Sequence, residues 1–112
     1  MSTAEIAEAL AADEAETHRR LAGLRREFGQ IVDSADTATD DEHDPEGTTA
    51  YDRARTATLI EAATHHLTEI AAARARLEAG TYGVCEVCGK PIPAERLAAR
   101  PTARTCVGCP PR

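Results

Sequence analysis

Apolar residues in the first third of the chain recur at steps of three and four. Counted from Ala7, the series runs through Leu10, Glu14, Thr17, Leu21, Leu24, Phe28 and Ile31. This heptad-like stripe with a polar interruption predicts one amphipathic helix over residues 3 to about 35. Ser2 or Thr3 is placed to cap its start, with Glu5 and Glu8 in or near the first turn, where negative charge meets the positive end of the helix dipole. Gly23 and Gly29 weaken the helix locally without breaking the pattern. A second stripe, Ile60, Ala63, Leu67, Ile70 and Leu77, predicts a helix from about Thr48 or Thr49 to Ala79, and Gly80 stands where a helix-ending glycine belongs. Each helix of roughly 30 residues is about 45 Å long. Two such stripes joined by a short connection predict an antiparallel coiled-coil hairpin over residues 1–80, with alanines at the seam allowing close approach.

The connection, Asp33 to Gly47, holds seven acids and no Lys or Arg, with Pro45 and Gly47 as helix stops. The hairpin is thus expected to carry an acidic tip at about residues 36–47. A run of like charge is most often a solvated linker, and local sequence by itself favours that reading.

Large apolar side chains are few, and much of the 42% hydrophobic content is alanine, which has little area to bury. Helix pairing and a metal are therefore the expected sources of stability. The metal has an obvious seat. Cys85-Glu-Val-Cys88 and Cys106-Val-Gly-Cys109 are separated by 17 residues, so each pair closes a tight loop and the spacer brings the two loops face to face. Four thiolates at tetrahedral corners are what Zn2+ accepts in a closed structural site. One structural zinc ion is expected, held by Cys85, Cys88, Cys106 and Cys109. No apolar run approaches a membrane span and no secretory leader is visible, so the cytoplasm is the expected compartment, where paired cysteines more often mean metal than disulfide.

Residues 81–112 form the expected finger module. Gly89 permits a bend in the first knuckle, and Pro93 is placed to open a short helix over Ala94–Ala99 that ends at Arg100-Pro101. Val84, Val87, Ile92, Leu97 and Val107 are the expected miniature core around the metal. The chain's net charge of −6 divides unevenly: residues 81–112 carry +3 and residues 1–80 carry −9. A chain this acidic is a poor general coat for DNA. Arg96, Arg100 and Arg104 form a basic face on the finger, either a partner contact or a balance for the anionic zinc–thiolate centre.

The segments Gly80-Thr-Tyr-Gly-Val-Cys85 and Ile92-Pro-Ala-Glu-Arg-Leu-Ala-Ala-Arg-Pro-Thr-Ala-Arg-Thr-Cys106, set behind an acidic-tipped helical hairpin, resemble the DksA/TraR family of C4 zinc-finger proteins. The likeness is dense over residues 80–109 and extends to the hairpin in architecture and position. It implies a mainly α fold, a helical hairpin followed by a small four-cysteine finger. It also implies a bacterial transcription regulator that binds RNA polymerase directly, its coiled coil entering the secondary channel with the acidic tip near the catalytic magnesium. The family's Asp-x-x-Asp-x-Ala tip pattern maps onto Asp41, Asp44 and Glu46, the last standing where the family has alanine, with Glu42 a further tip acid. The resemblance implies no enzymatic activity and no direct sequence-specific reading of DNA.

Other readings of the same residues are less demanding. A finger-mediated protein or nucleic-acid adaptor with an inert acidic linker uses only the second module. A redox-sensitive zinc switch uses only the thiols, although no strand–helix–strand pattern of a thioredoxin-like site surrounds them. Asp41 and Asp44 as a catalytic pair would need a pocket that sets their pKa values apart, which a hairpin tip does not itself supply. His18, His65 and His66 fall on the helices and His43 in the tip, and none is required once four cysteines fill the zinc shell.

Overall fold

The computed structural model describes residues 2–37 and 46–109, with side chains placed for residues 2–33 and 50–109. The described residues form three helices: α1, Thr3–Thr37; α2, Glu46–Ala79; and α3, Ala94–Ala99. The described residues contain no β-strand, only an isolated antiparallel bridge between Val84 and Pro91. The fold is mainly α, a helical hairpin followed by a four-cysteine finger.

The start of α1 is a reciprocal cap. Ser2 Oγ accepts from the Glu5 amide at 3.1 Å, while the Glu5 carboxylate accepts from the Ser2 amide at 2.9 Å. Two otherwise unpaired first-turn donors are satisfied this way. The Ser2 hydrogen bonds and the nearby chain terminus hold the Glu5 carboxyl below its usual range. Helix α2 begins at Glu46 and takes in Gly47, so Gly47 lies inside the first turn and does not act as the expected stop. First-turn amides need no intrahelical partner, and glycine there costs only its conformational freedom. At the other end, Gly80 adopts a positive φ of 81°. The Thr81 amide returns to the Arg76 carbonyl at 2.9 Å and that of Gly80 to Leu77 at 3.3 Å, the paired bonds of a Schellman ending.

The chain forms two compact units, residues 1–15 with 67–112, and residues 16–66. In the first, the start of α1 packs on the end of α2. Ile6 and Leu10 bury against Ile70 and Ala73, with Leu67, Leu77 and Tyr82 completing the cluster. Leu10 and Ala73 have no solvent exposure. Ala73 thus occupies the seam, where the sequence predicts alanines. The buried stripe of α1 begins at Ile6, with Ala7 exposed; the larger side chain takes the seam because it removes more apolar area from water.

The second unit contains the rest of both helices. Among its described side chains, Thr17 and Leu21 on α1 and Thr56 and Ala63 on α2 are buried. Leu10 and Thr17 are seven apart, as are Thr56, Ala63 and Ile70, which is the interval of a coiled-coil seam. Thr17, the polar interruption in the sequence pattern, is therefore a seam position in its own right. Threonine is small enough for a close helix pair, and helical threonine hydroxyls return to carbonyls four residues back, as Thr58 and Thr64 do.

The Ile6–Leu10–Ile70–Ala73 cluster makes a direct prediction. Leu10→Ala should lower the unfolding free energy of the zinc-loaded protein by about 3 kcal/mol, read from the urea midpoint. Val107→Ser, at a residue 75% exposed, should change it by less than about 0.5 kcal/mol.

Candidate metal centre

The residues after Ala79 form two knuckles and a short helix around one point. In the first knuckle, the Cys85 amide donates to the Lys90 carbonyl and the Gly89 amide to the Cys85 carbonyl, both at 2.9 Å. Gly89 takes a φ of 75°, a left-handed conformation that glycine reaches without a steric penalty. The second knuckle is tied by the Cys109 amide to the Cys106 carbonyl at 3.1 Å. The intervening chain returns through α3, which starts directly after Pro93 and covers Ala94–Ala99 as the sequence predicts. Tyr82 fixes the return: its ring packs on the helical cluster and its hydroxyl donates to the Pro101 carbonyl at 2.8 Å.

These turns bring the sulfurs of Cys85, Cys88, Cys106 and Cys109 within 4.8 Å of one another. The Cys88–Cys106 separation is 3.7 Å and the Cys106–Cys109 separation 3.4 Å. Four thiolates about 2.3 Å from a tetrahedral zinc ion stand about 3.8 Å apart, so the donor set fits one Zn2+. With four sulfurs filling the shell, no position remains for water or substrate, and the zinc is structural. Cys85 is buried, Cys106 and Cys109 are partly buried and Cys88 is exposed.

The backbone is arranged for negative sulfur. Cys85 Sγ receives amides from Val87 at 3.4 Å, Cys88 at 3.5 Å and Cys106 at 3.4 Å. The Cys88 amide above all, with the other two adding and burial opposing, brings the Cys85 thiol down to about 6. The contact with the Cys106 sulfur, then loss of solvation, pushes Cys109 up to about 12. Thiols crowded together cannot all ionise unaided. A bound dication removes that conflict, and its uptake releases protons.

The finger's packing differs from the sequence expectation. Ile92 is buried and Leu97 partly so, but Val84, Val87 and Val107 are exposed. The buried set is Cys85, Ile92, Thr102, Ala103 and Thr105. Val87 and Val107 each lie between the two cysteines of a C-x-x-C loop, third in the first loop and second in the other. A loop that turns its sulfurs and amides inward leaves those side chains facing out. The buried threonines carried no hydrophobic signal that would have revealed them.

The three finger arginines have separate surroundings. Arg96 donates through Nε to the Thr105 carbonyl at 2.8 Å. With Arg100, it lines a shallow groove of about 500 Å3 shared with Pro93, Glu95, Ala99 and Val107. Arg104 grips Glu69 on α2 with Nε and Nη2, at 2.8 and 3.0 Å. Its bonds to Glu69 push its pKa further up, while burial pulls that of Arg76 down. Asp41, Glu42 and Asp44 lie outside the described residues; Glu46 opens α2, with its side chain outside the described set. No helix among the described residues is long and apolar enough to cross a membrane.

Residues 80–109 match the prokaryotic dksA/traR C4-type zinc finger family. The uncharacterized protein YteA of Bacillus subtilis is 42% identical over 69 residues, covering 62% of this chain and 29% of that protein. The RNA polymerase-binding transcription factor DksA of Haemophilus influenzae is 32% identical over 94 residues, covering 84% of this chain and 59% of that one. The chain thus matches less than two thirds of the length of these curated relatives. The solved structure of transcription factor DksA2 from Pseudomonas aeruginosa superposes with a TM-score of 0.78 at 26% identity, covering 94% of this chain and 77% of that one.

Replacing Cys85 or Cys106 with Ser should abolish stoichiometric zinc binding and unfold the finger, because in so small a module metal-binding free energy is folding free energy. Zinc content after gel filtration and circular dichroism will check this; most of the helical signal should remain. Retained stoichiometric zinc at parental stability would refute the ligand assignment.

Proposed function

The chain belongs to the DksA/TraR family of C4-type zinc-finger proteins, and from that membership we propose that it regulates transcription by binding bacterial RNA polymerase. The helical hairpin enters the secondary channel, the acids Asp41, Glu42, Asp44 and Glu46 approach the active site, and the finger with its zinc is a structural base. Arg96 and Arg100, beside the groove, are the finger residues proposed to touch the polymerase; Arg104 is already engaged within the chain. The protein modulates the polymerase and catalyses no reaction of its own, and it works in the cytoplasm without spanning a membrane or reading DNA sequence.

The observation that carries this reading is the extent of the likeness. The finger match covers residues 80–109, whereas the alignment with the H. influenzae RNA polymerase-binding factor runs over 94 residues. It therefore extends well into the helical part that an isolated zinc-finger adaptor would not need. The physical chemistry agrees. A long helical pair reaches where a globular domain cannot enter, and carboxylates at its end are drawn to a divalent ion or a basic wall, which also raises the association rate.

The test is binding to purified core RNA polymerase together with transcription from a responsive promoter, comparing the parent with Asp41→Asn/Asp44→Asn. Both proteins should bind, and only the parent should alter transcription. A double variant with full regulatory effect would remove the tip from the mechanism, and no binding by the parent at physiological salt would remove the polymerase.

A further inference from the structure

Two ligand-bearing segments of the finger cross beside α2, and a charged cluster stands at the crossing. Glu86 follows the first zinc ligand directly and Arg104 lies two residues before the third. Their backbones are joined by the Glu86 amide to the Arg104 carbonyl at 2.9 Å. Arg104 spends Nε and Nη2 on the two oxygens of Glu69 and turns Nη1 to Glu86 Oε2 at 3.3 Å. The same Glu86 oxygen lies 3.9 Å from Nη1 of Arg76, one helical heptad beyond Glu69 on α2. Arg76 Nη1 and Nη2 are buried without a hydrogen-bond partner. The cluster is formally neutral, two cations against two anions. Its side chains are only 12–26% exposed, so removing one member leaves a poorly solvated charge.

We infer that Glu69, on a helix and 16 residues before the first ligand, is a positioning residue for the zinc site. Its two oxygens fix the planar fork of Arg104, a geometry that a point charge would not impose. With that fork fixed, the Arg104 carbonyl holds the Glu86 amide, and the Cys106 amide stands 3.4 Å from Cys85 Sγ. Cys85 and Cys106 are thereby set at coordination distance. Without Glu69, the two guanidinium groups face Glu86 alone, which serves both poorly and draws the crossing out of register. Outer partners of this kind tune metal affinity through the ligands they orient. The coupling is reciprocal by thermodynamic linkage: if Glu69 strengthens zinc binding, zinc pins the end of α2.

The experiment is chelator competition for zinc on the full chain, comparing the parent, Glu69→Gln, Arg104→Gln and the double variant. Amide exchange over residues 70–79 is followed with and without zinc. Each single variant should weaken zinc binding about tenfold, and the double variant no more than the weaker single one, with parental helicity at saturating zinc. In the parent, zinc should slow exchange at the end of α2. In Glu69→Gln that slowing should be lost, while zinc still protects the Cys85–Gly89 knuckle. Unchanged zinc affinity, additive losses in the double variant, or persistent zinc-dependent protection of residues 70–79 in Glu69→Gln would overturn the assignment. Loss of helicity in zinc-saturated Glu69→Gln would do so too, since it would mark a general structural role.

Discussion

Four sulfurs converging on one point are the constraint on which the finger depends. Residues 80–109 contain one buried large aliphatic side chain, Ile92, and the remaining buried positions are Cys85, Ala103 and two threonines, Thr102 and Thr105. Such a set cannot offset the entropy of ordering the segment by hydrophobic burial. Metal coordination takes the place of a core. The local conformations then follow from the need to aim sulfurs inward: amides directed at Cys85 Sγ, a left-handed Gly89, and valines left on the outside.

The helical part is stabilised on a different principle. Its seam uses small and β-branched residues, Thr17, Thr56, Ala63 and Ala73, between a few larger anchors, Leu10, Leu21 and Ile70. The small buried side chains contribute little apolar area, so the few larger anchors supply most of the burial. The first unit, residues 1–15 with 67–112, joins the two principles. Tyr82 contributes its ring to the helical cluster and its hydroxyl to the finger's return at Pro101. The Glu69–Arg104–Glu86 pairing adds a polar link between α2 and the zinc-bearing segments.

That arrangement suits the function proposed for the family fold. A probe that works by reaching into an enzyme needs a base that does not yield when the probe is engaged. A metal-closed finger fastened to the end of α2 by an apolar cluster and a bidentate ion pair meets that need without a large globular domain. The charge asymmetry, −9 over residues 1–80 and +3 over residues 81–112, is compatible with the two parts meeting different surfaces.

Much of this was legible in the chain itself. Paired C-x-x-C loops in a sequence poor in large apolar residues determine a zinc site, because few other chemistries satisfy four clustered thiols. Period-3.5 stripes determine two long helices, and Gly80 and Pro93 determine where α2 stops and α3 starts, since backbone geometry at those residues is a local property. Tertiary structure alone decided the rest. The exposure of Val84, Val87 and Val107, the burial of Thr17, Thr56, Thr102 and Thr105, and the commitment of Arg104 to Glu69 depend on which surfaces meet. Hydrophobicity along a chain does not encode that. A threonine is buried or an arginine is engaged only because residues distant in sequence, 35 apart for Glu69 and Arg104, arrive at the same place.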